Sequence, residues 1–222
     1  MRVRTGRDPS SGGKRLTARV AAGGVSPLAR VVAYGAGRRA GTAPVRLFLV
    51  LGRHRRLFTG WLHFAGRLMP GGILPRRETE LVILRVAHLC GSAYEVAHHT
   101  RLGRAAGLGE ADLRRVADGP SADGWTARER ALLGAVDALH AEQDLDEAAW
   151  AELSRHLNER ERIELCLLAG HYEMLATVIR TLRIEPDPPR RRPARAAAAS
   201  LVRARWAARG RGRGPARRPP AG

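Results

Sequence analysis

Lysine, cysteine and aromatic side chains are all scarce in this 222-residue chain. Lys14 is the single lysine, Cys90 and Cys166 are the only cysteines, and aromatic residues make up 5% of the sequence. The two cysteines lie in separate apolar segments, without Cys-x-x-Cys or metal-ligand spacing. Nothing in that spacing suggests a disulfide framework, and a reducing compartment is the expectation. No run reaches the ~18 consecutive apolar residues that a membrane-spanning helix needs. The basic N-terminus lacks an apolar stretch followed by a cleavage site, so secretion is not expected. Its Arg-rich, acid-poor make-up is similar to an organelle transit peptide, but a cytoplasmic protein is the simpler expectation. No segment alternates apolar and polar residues between hairpin turns, so strands are not expected either.

Arginine, in contrast, is abundant, and the formal charge is +18. Its placement says more than its size. Residues 1–45 carry nine Lys/Arg against Asp8, net +8, and residues 186–222 carry eleven Arg against Asp187, net +10. The middle, 46–185, holds nineteen Arg and nineteen Asp/Glu, net zero. Basic ends suit nucleic acid, because Lys/Arg contacts to phosphates release counterions. Here the ends are Arg-, Ala-, Gly- and Pro-rich without a recognition motif or interleaved aromatics, so nucleic-acid binding is the weaker reading.

The chain therefore divides into a basic, Gly/Pro-rich extension over 1–45, a helical domain over 46–185 and an Arg/Pro/Ala-rich tail over 186–222. The extension is expected to be mostly disordered, with a short helix near Leu28–Tyr34. Leu47, Val50, Leu51, Leu57, Trp61, Phe64 and Leu68 recur at helical spacing before PGGILP breaks the chain. RRETELVILRVAHL is apolar around more than one face, as in a helix buried on several sides. After Cys90-Gly91, the stretch Ser92-Ala93-Tyr94-Glu95 has the form of a capping box opening a helix that stops at Gly107. Helices follow near 110–117, from Thr126 (a second capping box) to about 142, over 146–157, and from Asn158 or Glu159 until Pro186. The tail could hold a helix around 195–209. The fold class is all-α, a compact helical bundle with short connections.

CGSAYEVAHH, residues 90–99, holds most of the chemistry. Glu95 and His99 are four apart and share a helix face, and Glu80 on the preceding helix reaches the same place if the two helices pack antiparallel. A carboxylate beside an imidazole is a general acid/base pair near neutral pH. The plainer alternatives are that Glu95 only completes the capping box, that His98 sits on the surface and that Tyr94 is a packing residue. Cys90 would then be a small buried residue and His171 a core or subunit-contact histidine. A metal site of His98, His99 and His171 would need long-range geometry, and neither metal nor cofactor is expected. Arg85 and Arg101 could bind a carboxylate or form surface salt bridges.

Residues 76–113, RRETELVILRVAHLCGSAYEVAHHTRLGRAAGLGEADL, resemble the signature of the carboxymuconolactone decarboxylase family, including its alkylhydroperoxidase D-like branch. The likeness lies in RETE before an apolar helix, CGSAYE near its end, a His four residues later and AAGL closing the next helix. It extends less specifically to LAGHYEML. The resemblance implies an all-α fold assembled as a trimer or hexamer and acting on a small molecule. In the peroxidase branch, an acidic residue precedes a Cys-x-x-Cys by twelve positions and a His follows it by four. Glu80 and His99 match the acid and the His, while Ser92 and Glu95 stand in the two cysteine positions. A thiolate that attacks peroxide and a second thiol that resolves the sulfenic acid are both missing. Peroxidase or peroxiredoxin activity goes with the wider family, but the expectation for this chain is acid/base chemistry on a carboxylated or lactone-like substrate, with Glu80, Glu95 and His99 as catalytic residues. A non-catalytic oligomeric binding protein is the alternative from another class.

Overall fold

The structure, a computed structural model, describes residues 18–21 and 23–190. Among these it is all-helical: α1 Pro27–Ala40, α2 Arg46–Leu51, α3 Arg55–Leu68, α4 Arg76–Leu89, α5 Ala93–Ala105, α6 Glu110–Asp118, α7 Ala127–Glu142, α8 Glu147–His156 and α9 Glu159–Leu182. The expected tail helix at 195–209 lies outside the described residues.

Central to the bundle is α4, whose residues from Thr79 to Ala87 are all buried. It packs against α5, α7 and α9, as its broad apolar surface requires. Val82, Ile83 and Val86 join Leu132, Val136, Leu165, Leu168 and Leu175 in the main core. Leu81 and Leu84 face a smaller cluster with Leu108, Val116, Trp125 and Leu133. Burying side chains of this size contributes ~1.5–3 kcal/mol each, so a polar substitution on α4 would be costly.

Several helix ends follow their sequence signals. Thr126 Oγ1 accepts from Glu129 N while the Glu129 carboxylate accepts from Thr126 N, and Asn158 with Glu161 does the same for α9. Others differ. α9 stops at Leu182, before Pro186, through Arg183 in a left-handed conformation at φ 54°. The apolar stretch from 45 to 68 splits into α2 and α3 after Gly52. A Cβ there would meet the Ala29 Cβ at 2.2 Å, so only glycine lets α1 approach. Leu57 and Phe64, two of the apolar residues that recur at helical spacing, are exposed.

The helical unit also begins earlier than residue 46. Ser26 and Pro27 start α1, which runs to Ala40 and buries Ala29, Ala33 and Gly37. The chain after α9 is tied back in turn. Asp187 accepts from Arg46 N at 2.8 Å, and Ala43 N donates to Pro188 O at 2.9 Å. Small residues and a single buried acid carry this packing, and neither gives a periodic apolar signal.

Candidate functional site

The connection between α4 and α5 is set by backbone. Gly91 adopts φ 62°, Ser92 N donates to Ala87 O at 2.8 Å, and Gly91 N donates to His88 O at 3.1 Å, the pairing of a Schellman turn. So tight a reversal makes α4 and α5 antiparallel neighbours and brings Glu80 and His99 together. The expected capping box does not form. Ser92 makes no side-chain cap, and Ser92 Oγ and both Glu95 carboxylate oxygens have no hydrogen-bond partner among the described residues. The Schellman turn already fixes the helix entry, which leaves both side chains free for other contacts.

Glu80 is fully buried, and its Oε2 lies 2.8 Å from His99 Nδ1. A carboxylate can only accept, so Nδ1 carries the proton and Nε2 is the basic nitrogen of the neutral ring. Arg76 forms an ion pair with the other Glu80 oxygen, out of line for a hydrogen bond. Glu80 is thus held between a guanidinium and the imidazole that it orients.

His99 and Glu95 both face a cavity of about 310 Å³; Glu80 stands behind His99 and does not line it. The wall is largely apolar, with several rings in contact. Trp61 stacks on His171 with ring centroids 6.0 Å apart, and Tyr172 meets His99 edge-on at 5.1 Å. On the far side His98 stacks on Tyr94 at 6.4 Å. Ala36 and Arg39 of α1 and Val45, Leu47 and Phe48 complete the wall, so the segment read as an extension helps to build the site.

Within this apolar surround the titratable groups shift. Burial raises the Glu95 pKa to about 7, against the opposing influence of the nearby Ser92 hydroxyl. Burial lowers His98 to about 3, with further lowering from its neighbours His99 and Arg101, and burial lowers His171 to about 4. At neutral pH both histidines are therefore uncharged and Glu95 is poised between its two forms. Trp61 Nε1, His98 Nδ1 and His171 Nδ1 join Glu95 as buried polar atoms without a partner among the described residues. Each such atom costs about 1–3 kcal/mol.

The three residues singled out in the sequence thus meet at one place, with one difference. His99 pairs with Glu80, and Glu95 is a separate group on the same cavity wall. Tyr94 is an anchor: its hydroxyl donates to Asp187 Oδ2 at 2.7 Å and accepts from Leu47 N at 3.4 Å. Arg85 is bidentate to Asp137 at 2.6 and 2.7 Å, and Arg101 bonds Ala97 O in its own helix. Neither arginine lines the cavity, whereas Arg39 and Arg76 do. Cys90 is half-buried, off the cavity, with its pKa raised by burial. Trp61, Tyr172 and Arg76 were not legible as site residues. His171-Tyr172 reads simply as part of an apolar helix.

Residues 55–138 match the family model described as "Carboxymuconolactone decarboxylase family". Among curated proteins there is no match. Solved structures are similar. A protein of unknown function from Agrobacterium tumefaciens, provisionally called antioxidant defence protein AhpD, is 25% identical, with 58% of this chain and 89% of that one covered and a TM-score of 0.55. An uncharacterized peroxidase-related protein from a Silicibacter species covers 82% of this chain and 95% of its own at 16% identity and a TM-score of 0.67. A variant of debrominase Bmp8 in complex with 2,3,4-tribromopyrrole covers 79% and 91% at 16% identity and a TM-score of 0.62. With residues 55–138 matching that family's model and a helical fold shared with alkylhydroperoxidase D-like structures, this chain is similar to the carboxymuconolactone decarboxylase family.

Proposed function

We propose that the chain is an enzyme of this family that moves protons on a small cyclic, carboxylated or lactone-like molecule held in the 310 Å³ cavity. The observation that carries this reading is Glu95, a buried carboxyl with a pKa of about 7 and no hydrogen-bond partner among the described residues, on the same wall as an imidazole oriented by Glu80. An acid/base group works best with a pKa near the operating pH. In this scheme His99 Nε2 takes a proton from the carbon next to a carbonyl, and Glu95 supplies or receives the second proton. Glu80 keeps His99 in the reactive tautomer and balances its charge when protonated. Arg39 and Arg76 attract a substrate carboxylate to the cavity. The debrominase on this fold holds a bromopyrrole, a ring of a size that such a cavity accommodates.

A dithiol peroxidase is the rival reading, drawn from the peroxidase-related neighbours. Ser92 and Glu95 cannot form a disulfide, and Cys90, off the cavity with its thiol pKa raised, is a poor nucleophile. We further propose a homo-oligomer, a trimer or hexamer, in the cytoplasm. Exposed Ile163, Leu167 and Met174 along one stripe of α9, with Leu57 and Phe64 of α3, support self-association. Among the described residues, no helix is long and apolar enough to cross a membrane. Nucleic-acid binding through the arginine-rich ends stays the weaker proposal.

The test is a panel of small lactones and cyclic carboxylic acids, read by product formation. Turnover is expected, falling by about 10²-fold or more in Glu95→Gln and in His99→Ala. An unchanged rate in the double variant would remove both assignments. Thiol-dependent hydroperoxide reduction that persists after Cys90→Ser would overturn the rejection of peroxidase chemistry. Absence of turnover across the panel favours the binding-protein alternative.

A further inference from the structure

Away from the cavity, three helices bring together three metal-ligating side chains that the proposed reaction does not use. Cys90 is the C-cap residue of α4, His140 lies in the last turn of α7, and Glu173 is on α9. One ligand atom from each, the Cys90 Sγ, an imidazole nitrogen of His140 and a carboxylate oxygen of Glu173, lie within 4.8 Å of one another. None of the three residues lines the cavity. We propose that Cys90, His140 and Glu173 form a second site that binds a divalent cation of the zinc class, with water completing the coordination.

Four features support this assignment. The first is ligand chemistry. Thiolate, imidazole and carboxylate together suit the borderline-soft Zn²⁺, whereas Mg²⁺ and Ca²⁺ prefer oxygen alone. The second is geometry. Bonds of about 2.0–2.3 Å to a tetrahedral ion place ligand atoms roughly 3.3–3.8 Å apart, a small side-chain adjustment from the observed cluster. His140 Nδ1 and Glu173 Oε1 already lie 2.8 Å apart, so two ligands are held in place before the ion arrives. The third is charge. Two helix C-termini, those of α4 and α7, converge here, and their carbonyl ends favour a cation. On binding, the dication takes the place of the thiol proton, which leaves to solvent. The fourth is access. The His140 and Glu173 side chains are about one-third exposed, at 34% and 31%, so the ion has an entry path and room for water.

The experiment uses the full chain, freed of metal with a chelator, kept reduced and titrated with Zn²⁺ by calorimetry. One Zn²⁺ per chain is expected, with affinity weakened about tenfold or more in Cys90→Ser, His140→Ala and Glu173→Gln and unchanged in Cys166→Ser. Co²⁺ should give a thiolate-to-cobalt absorption that Cys90→Ser abolishes. Where a variant loses helical circular dichroism, the unaltered chain decides the matter. Zn²⁺ should slow alkylation of Cys90 by iodoacetamide, followed by peptide mass, and leave Cys166 unaffected. No saturable Zn²⁺ binding, binding that survives Cys90→Ser undiminished, or equal alkylation of Cys90 with and without Zn²⁺ would overturn the site.

Discussion

Glu95 carries its charge into an apolar wall, and the consequence can be measured without a substrate. Its pKa is about 7 in the fold against an ordinary 4.5. Between those values the folded chain keeps a proton that the unfolded chain has lost. The stability from the neutral acid is therefore complete below pH 4.5 and lost as pH rises through 7. Glu95→Gln removes the ionisation, so urea denaturation should show the variant stabilised above pH 7, by at most about 3 kcal/mol, with the difference vanishing in acid. His98 and His171 act in the opposite sense. Their pKa values are lowered from 6.5 to about 3 and about 4, so the stability of the neutral rings is complete above pH 6.5 and lost as pH falls towards those values. His171→Gln should hold its stability better than the unaltered chain as pH drops from 6.5 towards 4. At this scale the sequence was informative about kind but not about pairing. Spacing put Glu80, Glu95 and His99 in one neighbourhood. That Glu80 and not Glu95 pairs with His99 depends on how α4 and α5 are rotated, which four-residue spacing does not encode.

Helix ends separate what a motif says from what it does. Thr126-x-x-Glu129, Asn158-x-x-Glu161 and Ser92-x-x-Glu95 look alike on paper, yet the first two close their reciprocal hydrogen bonds and the third does not. Thr126→Ala and Asn158→Ala should each cost about 1 kcal/mol in chemical denaturation. Ser92→Ala should cost a few tenths at most, because its hydroxyl has no partner to lose among the described residues. Equal costs at all three positions would mean that Ser92 caps α5 after all. Most elements were legible in the sequence: α4 from its broad apolar surface, α7 and α9 from caps and periodicity. The α2–α3 break was not. The stripe continues through Gly52, and only the arrival of Ala29 from a distant part of the chain explains it.

For the whole molecule, charge and packing give different boundaries. Net charge marks 1–45 as an extension, but burial marks residues from Pro27 onward as structure: α1 supplies Ala29 and Ala33 to the interior and Ala36 and Arg39 to the cavity wall. Deleting residues 1–45 is therefore expected to lower the melting temperature and open the cavity, not to leave a neutral working core. A truncated chain that melts like the full one would contradict this. Small residues pack α1 against its neighbours, so no hydrophobic stripe advertised it. On the opposite account, the apolar stripe of α9 leads outward. Ile163→Glu combined with Leu167→Glu should move sedimentation towards the monomer while leaving helical content intact. The Schellman turn at Gly91 has one further effect. Because main-chain atoms secure that corner, the side chains at positions 92 and 95 can change without unmaking it, so Ser92→Cys combined with Glu95→Cys should keep the helical content of the unaltered chain.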